Sequence, residues 1–304
     1  GETPSPILPR GAGSASISQM TLSTMSSTPT FTLPRCGLAW VLLVGLLVGG
    51  TAAPPPVFAQ AGSDASSQTA EPTRIVVRAV SNDAKLLQDP VGGARIRIEN
   101  AETGEVLAEG LQRGDSGSTQ KIMRTPYERG MTRYDTEGAA KFDTTLALTH
   151  PTRVRISATG PLDYPESMQT ASVTTMLVPG EDITGEGVTL TLHGFIVEVL
   201  QPTSAPMAGD TVPVRARVRM MCGCPTEPGG LWDARRYTIR AELLNANNEV
   251  LATTPLSFTG TTNEYNAQVQ IPEGAETLRV VAVDAERVNF GVREVPLDAP
   301  TSSR

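Results

Sequence analysis

Short runs in which apolar and polar residues alternate one by one dominate this chain from residue 74 onward, each cut off by Gly, Pro, Asn or Asp. "RIVVRAV" (Arg74–Val80), "ARIRIEN" (Ala94–Asn100), "TRVRISAT" (Thr152–Thr159) and "GVTLTLH" (Gly187–His193) carry the pattern in the first half. Successive side chains of a strand point to opposite faces, so such runs predict strands with one face buried and one wet, in antiparallel sheets. No window keeps a helical stripe going over several turns. "NAETGEVLAEG" (Asn100–Gly110) predicts a hairpin with Thr103-Gly104 at its turn.

The second half repeats the style without repeating the sequence. Strands are expected at Phe195–Leu200, Thr211–Met221, Tyr237–Leu244, Glu249–Phe258, Asn263–Ile271, Thr277–Ala285 and Phe290–Leu297. That number of short strands in about 100 residues matches an immunoglobulin-like sandwich. The stretch "VLQPTSAPMAGD" (Val199–Asp210) has two prolines among polar residues, which places a domain boundary there.

Ahead of the strands the chain reads as an address. Leu38–Gly50, "LAWVLLVGLLVGG", follows Arg35 and leads into small residues and an Ala-Gln-Ala exit, the pattern of a signal peptide cut near Gln60 or Ala61. An apolar core of about 13 residues is short for a membrane span, which takes about 20. Segment 38–50 touches a membrane only if it stays uncut. The expected location is periplasmic or extracellular. Residues 1–61 are thus low-complexity leader and signal peptide, and 62–73 a Ser/Ala/Gln-rich disordered tether. The net charge of −7, with only Glu2, Arg10 and Arg35 charged in the leader, leaves an acidic exported part and argues against nucleic acid as a partner.

"VGGARIRIENAETGEVLAEG", followed by "DTEGAAKFDTTL" and "RVRISATGP", resembles the carboxypeptidase-regulatory-like, transthyretin-like modules, with an insertion, residues 111–134, between the two halves of the motif. The second half resembles bacterial Ig-like modules. These resemblances imply two tandem β-sandwiches, at 74–200 and 201–304 (the latter ending in a short disordered tail), and a role as spacer, binding surface or accessory domain. They imply nothing catalytic, and fold alone does not choose among such roles.

One stretch stands out chemically: "MMCGCPTEPGGLWD", Met220–Asp233. Val214, Ala216, Val218 and Met220 alternate with Arg215, Arg217 and Arg219, so Met220 is expected in the core and Met221 facing outward. Removing the leader takes Cys36 away and leaves Cys222 and Cys224, in an oxidising compartment. Gly223 permits the bend that would let the two sulfurs bond, and Pro225 fixes the exit. Three readings stay open. The pair is a disulfide; or Met221, Cys222 and Cys224 are soft donors for Cu(I), preferred over zinc because the second half has no histidine; or the pair carries out thiol–disulfide exchange. Trp232 is expected to pack in the core.

The insertion is the other candidate. Lys121, Arg124, Arg129 and Arg133 are interleaved with Tyr127 and Tyr134, and long irregular loops on β scaffolds often carry binding. "GDSG" (Gly114–Gly117) lacks the upstream histidine a serine nucleophile would need, since His150 and His193 both follow Ser116. No phosphate loop, zinc-protease helix motif or EF-hand spacing occurs. The reading is an exported, non-catalytic binding or envelope-accessory protein with a protein or cell-envelope partner. A Cu(I)-binding protein and a thiol–disulfide oxidoreductase are the alternatives.

Overall fold

The computed structural model describes residues 69–203 and 206–297. The expected leader, most of the tether and the C-terminal tail lie outside them. The described residues form four sheets, which pair into two sandwiches, and the architecture is all-β, as the alternation predicts.

The first sandwich holds β1 (Glu71–Ser81), β2 (Ala94–Asn100), β3 (Val106–Gln112), β4 (Phe142–Leu148), β5 (Thr152–Gly160), β6 (Gln169–Leu177) and β7 (Ile183–Leu192). Its sheets run in the orders β4-β1-β7 and β3-β2-β5-β6. Every strand pairing is antiparallel except β1 with β7, which is parallel. The core lies where Ile75, Val77 and Ala79 of β1 meet Ile96, Ile98, Val154, Ile156 and Ala158 of the facing sheet. The hairpin between β2 and β3 is as expected. Gly104 takes φ +76° at its turn, and the Asn100 side chain accepts from the Glu102 and Thr103 N–H groups. β1 begins at Glu71, so Thr73, fully buried, belongs to a strand rather than to a tether.

The second sandwich holds β8 (Phe195–Gln201), β9 (Thr211–Met220), β10 (Thr238–Leu244), β11 (Val250–Pro255), β12 (Ser257–Phe258), β13 (Glu264–Gln270), β14 (Thr277–Asp284) and β15 (Asn289–Pro296). The sheets run β11-β10-β14-β15 and β12-β13-β9-β8. Val214, Ala216, Val218 and Met220 face a core completed by Ala241, Leu243, Leu278, Val280 and Trp232, as their period-two placement requires.

The change of sandwich falls at His193-Gly194, not in the proline-containing segment 199–210. β8 pairs with β9 over its whole length, so it belongs to the second sandwich. Only two residues separate the end of β7 from the start of β8. The joint is packed rather than loose. Ile196, on the opposite face of β8 from Phe195 and Val197, is fully buried in the core of the first sandwich, and Met221 joins it there.

Candidate functional site

The structure buries the sulfur motif. β9 ends at Met220, and a tight turn follows in which the Gly223 N–H donates to the Met220 carbonyl (2.7 Å) and the Met220 N–H to the Cys224 carbonyl (3.1 Å). The turn needs a left-handed residue, and Gly223 supplies it at φ +78°. A side chain there would also collide with Val91 Cγ1, 2.8 Å from where its Cβ would lie. This bend brings the Cys222 and Cys224 Cα atoms to 5.3 Å, and their sulfurs are bonded. Cys222 is 0% exposed and Cys224 4%, both in the second sandwich's core.

Met221 is likewise 0% exposed, but it enters the other core. The expectation that it faces solvent therefore fails. The outer face of β9's end is not a surface, because the first sandwich covers it. The three sulfur residues consequently do not form one donor set. Two are bonded to each other and offer no thiolate, and the third points into a different apolar core. These residues do not fit a Cu(I) centre in this form, and bonded sulfurs this deeply buried offer no face for thiol–disulfide exchange. Among the described residues, no group of three or more His, Cys, Asp or Glu gathers to hold a metal ion.

The same turn joins the sandwiches. Gln88 Nε2 donates to the Cys222 carbonyl (2.9 Å), and Trp232, buried in the second core, donates from Nε1 to the Asp83 carbonyl (2.9 Å). Arg287 holds Asp83 at 2.6 Å, and the Gly194 N–H donates to Asn289 Oδ1 (3.0 Å). Burial and the nearby Asp284 push the Asp83 carboxyl above its ordinary range, against the pull of Arg236.

The insertion is built differently from its sequence boundaries. β3 runs through Leu111 to Gln112, and the excursion proper spans residues 113–141, closed at its root by bridges of Arg113 with Lys141 and of Asp115 with Ala139. Its fixed point is a residue the alternation assigns to the wet face of β1. Arg78 is 1% exposed. Its guanidinium donates to Asp135 Oδ1 (2.8 Å) and to the carbonyls of Gly185 (3.1 Å), Ala140 (3.1 Å) and Glu186 (3.3 Å). The Glu186 carboxylate answers it by accepting the N–H groups of Arg133 (2.9 Å), Tyr134 (2.8 Å) and Asp135 (3.3 Å). A carboxylate thus holds residues 133–135 through their backbone N–H groups, and the Arg78 guanidinium holds the same segment through the Asp135 side chain. Neither residue was singled out by sequence. The one available signal was an arginine interrupting the apolar run Ile75–Val80 of β1.

The clamp sorts the six expected contact residues. Tyr134 is half-buried against Val80, Leu86, Ala139 and Ala140, and that burial pushes its hydroxyl pKa up. Lys121 is tied down, Nζ reaching Thr132 Oγ1 (3.3 Å) and the Asp135 carbonyl (3.2 Å). Arg133 lies over the Tyr127 ring, 5.7 Å from its centre. Arg124, Tyr127 (60% exposed) and Arg129 are left presented to solvent. Beneath them Met123, Arg133 and Tyr134 line, with Ser81 and Asp83, a cleft of about 280 Å³. The Ser81 hydroxyl has no hydrogen-bond partner among the described residues.

No protein-family model and no curated protein matches the chain. A solved structure of the titin domains z1z2 in complex with telethonin is 13% identical, covering 75% of this chain and 96% of that one, with a TM-score of 0.21. A likeness that slight bears on nothing further.

Proposed function

We propose that this is an exported, non-catalytic binding protein, acting outside the cytoplasm or in the cell envelope, whose recognition surface is the tip of the excursion carried by the first sandwich. On this reading the first sandwich is a carboxypeptidase-regulatory-like module and the leader directs export. The observation that carries the reading is the division of labour in the excursion. Arg78 and Glu186 lock its base, while Arg124, Tyr127 and Arg129 stand exposed on it. A preorganised loop loses little entropy when it engages a partner, and exposed Tyr and Arg are the residue types that most often dominate interface energetics. Three arginines and Lys121 against Glu128 make this stretch basic on an acidic protein, which favours an acidic protein partner.

The test compares wild type with a variant carrying Arg124→Ala, Tyr127→Ala and Arg129→Ala as baits for an envelope fraction. A partner retained by wild type should bind the variant at least about tenfold more weakly, and more weakly still as salt rises. Equal retention by the two baits would refute the assignment.

A further inference from the structure

The four sheets leave eight edge strands, and seven are blunted in ways that discourage edge-to-edge pairing. β3 carries Glu109, β4 Asp143, β7 Glu186, β8 Glu198, and β15 Arg293 with Glu294; β11 ends in Pro255, and β12 is two residues long. β6 has none of these devices. From Gln169 to Leu177 it reads "QTASVTTML", flanked by Met168 and Val178, with no charge, proline or glycine, and its pairing with β5 is unbroken by any bulge. Among the described residues no backbone group of β6 bonds to anything on the side away from β5. Val173 (38%) and Met176 (51%) are exposed along it, and Met168 (37%) and Val178 (43%) flank its two ends.

We propose that β6 is the interface between two copies of this chain, joined antiparallel into one continuous sheet. The choice of a second copy, rather than another extended peptide, follows from the strand's self-complementarity. A twofold axis at Val173 sets Val173 against its own copy, Met168 against the partner's Val178, and Thr170 against the partner's Met176. Every exposed apolar side chain of the strand then gains cover. No like charges meet, because the strand has none. An unmarked edge of this length is otherwise an aggregation site, and pairing it in a closed symmetric dimer removes that hazard.

Sedimentation of the purified full chain at micromolar concentration should show a dimer. The pair Ser172→Lys and Thr174→Lys sets like charges directly opposite each other in this register, on exposed positions that leave the monomer's fold intact by circular dichroism. It should weaken the dimer roughly tenfold or more. Independently, Val173→Cys should link copies covalently on mild oxidation, because facing residues of an antiparallel pair lie within disulfide reach. A monomeric wild type would overturn the proposal, including one that instead captures a synthetic β6 peptide. So would a dimer that survives the lysine pair, as association through the leader would.

Discussion

Met221 and Cys222 are consecutive in the chain and both fully buried, yet the first lies in the core of one sandwich and the second in the core of the other. A strand's two faces are normally a core face and a solvent face. At the end of β9 both are core faces, because the first sandwich packs against the outer one. Ile196 on β8 stands beside Met221 on the same side. The two sandwiches therefore share apolar packing across their joint.

Truncating the shared plug should be felt by the whole protein. Met221→Ala is expected to cost about 2–5 kcal/mol, the range for emptying a buried site that cannot collapse, and Met221→Leu less than about 1.5 kcal/mol. Urea unfolding followed by Trp232 fluorescence in the second sandwich and by the far-ultraviolet signal of both should move together as one transition. Two separate transitions would show that the joint does not couple them.

The Cys222–Cys224 bond should resist reductant while the protein is folded, since neither sulfur is reachable. Thiol titration of the folded protein with dithiothreitol present, quenched at intervals, should follow the rate of global opening. Because so short a loop constrains the unfolded chain little, Cys222→Ala with Cys224→Ala should lower stability only by roughly 1–3 kcal/mol, mainly through lost packing. The folded wild type should leave Cu(I) with a competing chelator.

Arg78→Met removes the clamp without adding bulk. Three carbonyl oxygens and Asp135 lose their donor, which predicts a loss of roughly 3 kcal/mol and faster tryptic cutting after Arg124 and Arg129. Arg78→Lys should not rescue the resistance, because one ammonium cannot serve acceptors spread round a planar fork. Unchanged proteolysis would mean that the tip is held by something else.

Acid should weaken the second sandwich through Glu264. Hydrogen bonds from Arg215, and then from Arg217 at 3.2 Å, hold its carboxyl below the usual range. A carboxyl with a depressed folded pKa contributes stability that is present above its unfolded value and is lost as pH falls through the folded one. Thermal melts from pH 7 downward should show Glu264→Gln less stable at neutral pH, with the gap to wild type closing in acid. A constant gap would assign the difference to packing.

The strands of β2, β5, β9 and β14, the β2–β3 turn and the proximity of the two cysteines were all legible, because each depends on neighbours a few residues away. Arg78, Met221 and the placement of β8 were not. Period two says which residues share a face, but not what covers that face. Arg78 is buried by an excursion arriving from residues 113–141, and Met221 by a sandwich whose strands lie far back in the chain. The proline-containing segment misled for a related reason. It marks a loop between β8 and β9 inside one sandwich, while the true joint hides in two residues that look like an ordinary turn.

A link only two residues long, with hydrophobic side chains driven across it, leaves no hinge to flex. Bending one sandwich against the other would have to draw Ile196 and Met221 out of the first core.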